Sequence, residues 1–130
     1  MVPMPRPLLV LIIVALLAGC ASRVITARHF HVERVIDGDT LVIVYDGERT
    51  SVRLPLVNAP ERNESGGAKA TEALRQLVDG KTVRIAFTAP HGRKRDNFGR
   101  LLCSVYVNGV DVESELVRED VASWQDQARQ

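Results

Sequence analysis

Three short stretches of this sequence carry side chains that could do chemistry together. Asp37-Gly38-Asp39-Thr40 places two carboxylates beside a glycine, and carboxylate oxygens are among the ligands that a hard cation prefers. RLPLVNAPE, residues 53–61, carries an arginine, an asparagine and a glutamate around the end of an apolar run. RDNFGR, residues 95–100, ends on an arginine, whose planar guanidinium matches the paired oxygens of a phosphate.

Taken together, these residues supply the parts for metal-assisted hydrolysis of a phosphodiester. The acidic pair could hold a metal, Arg53 and Arg100 could clamp the phosphate, and Glu61 could handle the proton of an attacking water. Each stretch also has a simpler interpretation. Asp-Gly is common in tight turns, and a lone arginine or glutamate at a strand end is usually solvated.

The first residues predict export rather than a folded domain. Residues 8–19 form an unbroken run of apolar and small residues, shorter than the roughly 20 residues of a membrane span and typical of a secretory signal. Leu17-Ala18-Gly19-Cys20 resembles the lipobox of bacterial lipoproteins. The resemblance implies that residues 1–19 are removed and that Cys20 carries acyl chains such as palmitate. A plain signal peptide or an uncleaved anchor is the alternative.

Export bears on location and on the cysteines. We expect the chain at the cell envelope, on the periplasmic or extracellular face of a bacterial membrane. The sequence has two cysteines, Cys20 and Cys103. If Cys20 carries lipid, Cys103 lacks an intramolecular partner and the domain contains no disulfide. Cys103 alternates with apolar residues, which predicts a buried, unreactive side chain.

The net charge of the predicted mature chain argues against broad electrostatic capture of nucleic acid. Removing Arg6 from 17 basic residues leaves 16, which balance the 16 acidic ones. A nucleic-acid-binding domain is usually basic, so any such contact must come from a local patch. Arg93, Lys94 and Arg95 form one candidate in the loop 91–100.

The periodicity of apolar residues predicts a mainly β domain with helices. Five stretches rich in β-branched residues predict strands, at 31–36, 40–45, 51–57, 82–88 and 101–107. Two stretches with helical spacing predict helices, at 68–81 and 111–124. Asp46-Gly47 and Asn108-Gly109 predict tight turns, and Asp111 predicts an N-cap.

This order, β-β-β-α-β-β-α, is the layout of an OB-fold, a partly open five-stranded barrel of the α+β class. We expect a tether at 20–30, the domain at 31–124 and a tail at 125–130. Alternation within the strands predicts that Arg53 faces outward and that Phe87 faces inward.

Five stretches together resemble the thermonuclease family, the staphylococcal-nuclease-like nucleases. They occur in the family's order and spacing over residues 31–124: VIDGDTLVI, VRLPLVNAPE, LVDGKTV, RDNFGRLLCSVYVNG and ELVREDVASW. The family has an OB-fold, depends on calcium and cuts DNA and RNA endonucleolytically. The resemblance therefore implies a Ca²⁺ cofactor and a DNA or RNA substrate, and we expect a monomer.

The resemblance also implies a role for individual residues. Asp39 matches the calcium-binding aspartate, and Ala59 matches a position whose backbone carbonyl contributes to the calcium shell. Arg53 and Arg100 match the two arginines that contact phosphate. Glu61 matches the glutamate usually assigned as general base.

Two positions depart from the family pattern. Asn58 stands where the family normally has an aspartate that binds calcium; the amide keeps one carbonyl oxygen but loses a negative charge. Phe98 stands where the family often has tyrosine, and can still stack on a base or sugar. Arg93, Lys94 and Arg95 would steer a nucleic-acid strand towards these residues.

Two non-enzymatic interpretations stay open from the sequence. The chain could be an OB-fold module that binds nucleic acid or a protein partner without cutting, which Asn58 and the zero net charge favour. It could also be a small envelope lipoprotein in which Asp39, Arg53 and Glu61 form a surface ion network.

Overall fold

The structure, a computed structural model, describes residues 28–126. The strands are β1 Phe30–Asp37, β2 Thr40–Tyr45, β3 Glu48–Arg53, β4 Val57–Asn58, β5 Thr82–Ala86, β6 Leu101–Leu102, β7 Ser104–Val107, β8 Val110–Asp111 and β9 Ser123–Trp124. The helices are α1 Gly67–Val78 and α2 Val112–Arg118, and a short 3₁₀ turn spans Pro90–Gly92. The predicted signal and tether up to residue 27, with the lipidation site Cys20, lie outside the described residues, as does the tail from residue 127.

The pairing of the strands confirms the α+β, OB-like fold. Antiparallel pairs join β3 to β2, β2 to β1, β1 to β5 and β5 to β7, while β6 pairs in parallel with β3. Only Cys103 separates β6 from β7. The segment 101–107 therefore contacts both ends of the sheet and completes a ring of five strands.

Tight turns set the register of the first three strands. Asp46 and Gly47 have φ angles of 49° and 81°, the left-handed values that a two-residue hairpin turn requires. Tyr45 consequently pairs with Glu48. The turn between β1 and β2 consists of Gly38 and Asp39, because Asp37 pairs with Thr40.

Gly38 lets this turn pack closely against α1. A Cβ atom added at Gly38 would lie 2.6 Å from the Cβ of Ala70 in α1 and 2.7 Å from the Cβ of Ala59. Both distances are shorter than any normal contact between carbon atoms. The absence of a side chain therefore brings the Asp39 turn, the helix and the 58–59 segment together.

Several local predictions are confirmed. The strand 40–45 has the predicted bounds, and Asp111 caps α2 by accepting hydrogen bonds from the backbone N–H groups of Glu113 and Ser114. Cys103 is fully buried. Burial raises the pKa of its thiol to about 12, and a thiol that stays protonated is a poor nucleophile.

Two predicted elements were too long. The strand predicted at 51–57 ends at Arg53, because the chain turns at Leu54, whose N–H donates to the Asp39 carbonyl at 2.9 Å. The helix predicted at 111–124 ends at Arg118. Asp120 there has a φ of 59°, which a right-handed helix cannot include.

The predicted inward direction of Phe87 is wrong. Phe87 follows the end of β5 and is 41% exposed, so the alternation of the strand no longer applies to it.

No helix among residues 28–126 has the length and apolar character needed to cross a membrane.

Replacing Gly38 with alanine should destabilise the domain, because the new methyl group would overlap Ala70 and Ala59. We expect Gly38→Ala to lower the free energy of unfolding by about 1–3 kcal/mol, the usual cost of overpacking. Urea denaturation followed by circular dichroism measures this. Unfolding midpoints that coincide for the variant and the wild type would contradict the close packing of the turn on α1.

Candidate active site

The guanidinium of Arg53 is the centre of the site. Its Nη2 donates to the Oδ1 of Asn58 at 2.7 Å and lies 3.2 Å from the Oδ2 of Asp39. Its Nη1 donates to the backbone carbonyls of Val57, at 2.9 Å, and Leu54. The side chain is only 15% exposed. Arg53 lies outside the apolar core, as strand alternation predicts, whereas its neighbours Val52 and Leu54 are fully buried. The alternative that Arg53 is an ordinary solvated residue is wrong, because these contacts shield it from water.

The carboxylate of Asp39 is fixed by hydrogen bonds in addition to its contact with Arg53. The residue is buried, and its Oδ2 also accepts a hydrogen bond from the backbone N–H of Ala59 at 3.0 Å. Its Oδ1 accepts from the hydroxyl of Thr40 at 3.1 Å. Burial raises the pKa of the Asp39 carboxyl, although Arg53 and the Ala59 N–H oppose that rise.

Asn58 lies at the end of the turn that Arg53 spans. It belongs to β4, which pairs with β9 through Val57 with Trp124 and Asn58 with Ser123. Since Arg53 donates to the carbonyl oxygen of Asn58, the amide keeps its oxygen beside Asp39. The structure thus brings together three predicted residues, Asp39, Arg53 and Asn58, and places the backbone N–H of Ala59 among them.

Arg100 is positioned by Asp96, which the sequence interpretation did not single out. Arg100 Nε donates to Asp96 Oδ2 at 2.6 Å, and the backbone N–H groups of Phe98 and Arg100 donate to Asp96 Oδ1 at 3.0 and 2.9 Å. Burial alone would raise the pKa of Asp96, but these hydrogen bonds outweigh it and lower the pKa. An aspartate four residues before the arginine in a glycine-containing loop was the available signal.

Arg53 and Arg100 face one cleft, here called the arginine cleft, of ≈370 Å³. Arg93 from the basic loop also lines it, together with Asp96. Three arginines around a cleft with one carboxylate favour an anionic ligand. The charge of the cleft suits a phosphate group, because the guanidinium groups of Arg53 and Arg100 can pair with phosphate oxygens.

The remaining predicted residues lie around the cleft rather than in it. Phe98 is 85% exposed, and its ring lies 5.4 Å from the Arg100 guanidinium carbon. Lys94 lies over the ring of Phe87 at 5.3 Å. Arg95 donates to the Gly99 carbonyl at 2.7 Å.

Glu61 is not brought into the arginine cleft. It is exposed and lines a separate groove with Asp37 and Arg62. Its backbone carbonyl accepts a hydrogen bond from the N–H of Glu64 at 2.9 Å, which fixes the turn that follows. Its catalytic role stays a prediction.

Glu113, which the sequence did not indicate as a site residue, fixes the backbone of the turn between Arg53 and Asn58. It is fully buried, its Oε2 accepts the backbone N–H of Leu56 at 2.8 Å, and its Oε1 accepts the hydroxyl of Ser104. Leu56 is the middle of the turn between Arg53 and Asn58. Glu113 therefore holds the turn whose two ends carry those side chains.

Two side-chain oxygens that contact Arg53 could also bind a cation. Asp39 and Asn58 offer a carboxylate and an amide oxygen, which a hard cation accepts. No cluster of three or more histidine, cysteine, aspartate or glutamate side chains suited to a metal occurs within residues 28–126. The side-chain oxygens of Asp39 and Asn58 are donors of the type that calcium accepts. The two side chains together carry only one negative charge, and Arg53 contacts both oxygens and would compete with the cation.

The barrel and the arginine cleft define a nuclease-like OB-fold protein, and the sequence agrees with this class. Residues 51–130 match the family described as staphylococcal nuclease homologue. The chain belongs to that family.

Curated relatives of the chain carry endonuclease names. It is 35% identical to "Endonuclease YncB" of Bacillus subtilis over 96 residues, which covers 69% of this chain and 44% of the relative. It is also 35% identical to an "Uncharacterized endonuclease" of Escherichia coli O157:H7 over 97 residues, covering 74% and 60%. An "Uncharacterized endonuclease" of Haemophilus influenzae is 32% identical over 113 residues, covering 86% and 59%. The chain spans about half the length of these relatives.

The buried carboxyl of Glu113 should make stability depend on pH. Burial, opposed by the Ser104 and Leu56 hydrogen bonds, raises its folded-state pKa above the ordinary value of 4.5. Its contribution is therefore full below that value and is lost as pH rises through the folded pKa. As pH rises from 4.5 through the folded-state pKa of Glu113, the free energy of unfolding of the wild type should fall relative to that of Glu113→Gln.

Chemical denaturation at a series of pH values measures this difference, and the subtraction removes the similar effect expected from Asp39. Glu64→Gln makes the same change at an exposed glutamate outside α2 and serves as a matched control. A wild type and a Glu113→Gln variant whose stabilities stay parallel at every pH would contradict a buried, ionisable Glu113.

Proposed function

We propose that the chain is an endonuclease that hydrolyses phosphodiester bonds in DNA or RNA and requires calcium. The observation that carries the proposal is the arginine cleft, which Arg53 and Arg100 both line and whose Arg53 also contacts Asp39 and Asn58. Membership of the staphylococcal nuclease homologue family and the endonuclease names of the relatives support it.

Arg53 and Arg100 would stabilise the charge that develops on the phosphate oxygens. Both guanidinium groups are already oriented, Arg53 by two backbone carbonyls and Arg100 by Asp96. Donors that are fixed before the reaction need not reorganise during it, and such electrostatic stabilisation is usually a large part of catalysis.

Asp39, Asn58 and the backbone carbonyl of Ala59 would hold the calcium ion. When bound, the ion supplies Lewis-acid polarisation of a phosphoryl oxygen. Because Asn58 lacks the negative charge of an aspartate, we expect calcium to bind more weakly by about one order of magnitude or more. The contact of Arg53 with both side-chain oxygens should lower the affinity further.

Glu61 would accept the proton of the attacking water. The match of Glu61 to the glutamate of the family supports this role, although Glu61 lines a groove separate from the arginine cleft. Lys94 and Arg95, on the loop that also carries Arg93, would draw the nucleic-acid strand towards the cleft, an effect that salt weakens.

We further propose that the mature chain is a monomer anchored at the bacterial cell envelope through lipid on Cys20. The lipobox-like Leu17-Ala18-Gly19-Cys20 supports this proposal. Mass spectrometry of the membrane-associated protein would identify the lipid and the cleavage site.

A module that binds nucleic acid without cutting is the second candidate. Asn58 and the contact of Arg53 with both potential calcium ligands favour it. The two functions differ in their metal requirement. A binding module retains single-stranded DNA in chelator and leaves it intact when calcium is added.

Replacing Arg100 with alanine tests the nuclease. The variant loses one donor to the reacting phosphate, so we expect kcat on single-stranded DNA to fall by about 10²–10³. Arg34→Ala is the matched control, because Arg34 is an exposed arginine on β1 that lines neither the arginine cleft nor the Glu61 groove. Turnover by Arg100→Ala at the level of this control would reject the role of Arg100.

A further inference from the structure

A second cleft, on a different wall of the barrel, has the composition of a base-stacking surface. It has a volume of ≈460 Å³ and lies between the residues of β1, β2, β5 and β7. Three partly exposed rings and two arginines line it: Tyr45, Phe87, Tyr106, Arg28 and Arg84. A fourth ring, Phe30, is buried in the core and stacks on Tyr45 with 5.5 Å between the ring centres. We call it the aromatic cleft; it shares no residue with the arginine cleft.

Cations cover the aromatic rings of this cleft. The guanidinium carbon of Arg28 lies 5.1 Å from the ring centre of Phe30, and that of Arg84 lies 5.8 Å from the ring centre of Tyr106. Lys94 lies 5.3 Å from the ring centre of Phe87. Rings beside cations suit a nucleotide, because the ring can stack on a base while the cation contacts the adjacent phosphate.

The charge of the cleft favours an anion. Arg28 pairs with Asp46 at 2.6 Å, whereas neither Arg84 nor Lys94 forms an ion pair within residues 28–126. Phe87 is 41% exposed, although most large apolar residues of this domain are buried. A cation–π contact at such an exposed position is weaker than base stacking, so a base can replace the cation on the ring.

The aromatic cleft is close to the arginine cleft along the chain. Phe87 lines the aromatic cleft, and Ala89 and Pro90 line the arginine cleft. Three residues of extended chain span at most about 10 Å. Lys94 adds a second link, since it belongs to the basic loop and lies over Phe87.

We propose that the aromatic cleft binds nucleotides of a single-stranded substrate beyond the phosphate held in the arginine cleft. This inference rests on the proposed function, because both clefts would hold the same strand. Single strands expose the faces of their bases for stacking, whereas a duplex hides them in its own stack. The cleft would therefore favour single-stranded over double-stranded nucleic acid.

Binding of fluorescent oligothymidylates to the full chain in chelator tests this proposal. One OB-fold contacts about 4–16 nucleotides, so a strand of about twelve should reach both clefts and a strand of about three only one. Arg84→Glu should weaken binding of the longer strand about tenfold, more than the control Arg34→Glu, which makes the same change of charge on β1. Phe87→Leu should weaken it as well, while Phe87→Tyr keeps the ring and the affinity.

Two outcomes would overturn the proposal: equal losses in Arg84→Glu and Arg34→Glu, or a Phe87→Leu variant with wild-type affinity. Cleavage of the shorter strand with calcium reports on the arginine cleft alone. Cleavage together with either of these outcomes rejects the aromatic cleft and leaves the nuclease intact. An Arg84-dependent affinity without cleavage of either strand rejects the nuclease and leaves the aromatic cleft standing. A wild type that binds neither strand in chelator rejects the aromatic cleft, and one that also cuts neither strand with calcium rejects both.

Discussion

The site depends on one nearly buried cation, the guanidinium of Arg53. A charge with so little exposure is stable only when its hydrogen bonds are satisfied, and Arg53 meets four oxygens, on Asp39, Asn58, Leu54 and Val57. The last three belong to the short turn that follows Arg53 itself. The turn therefore folds around the side chain of Arg53, the residue at which it begins. The same hydrogen bonds fix both the site and the local backbone.

The rest of the domain keeps that arrangement in place through two contacts. The close approach permitted by Gly38 sets the Asp39 turn beside Ala59. Glu113 on α2 holds the middle of the turn at Leu56 from below. Glu113 also places a second carboxyl in the electrostatic field of Arg53, where Asn58 provides an amide instead of a charge.

The sequence predicted what is local and missed what is tertiary. The turn at Asp46-Gly47 and the cap at Asp111 follow from residue type alone, and the signal at Asp96 was equally local. The contact between Glu113 and Leu56 joins residues 57 positions apart, and no periodicity reports it. Strand alternation correctly placed Arg53 outside the core, but it could not show that Asp39, Asn58 and two backbone carbonyls contact its guanidinium. The family resemblance named candidate site residues, whereas only the structure showed that Glu61 lies in a groove separate from the arginine cleft.

We propose that this arrangement is a working nuclease site whose affinity for calcium is reduced by Asn58. The most direct measurement titrates calcium, from micromolar to tens of millimolar, against cleavage of single-stranded DNA by the full chain and by Asn58→Asp. The account predicts that the wild type cuts only at high calcium and that Asn58→Asp cuts at low calcium. Failure of both proteins to cut at any calcium concentration would contradict it and would leave a domain that binds without cleaving.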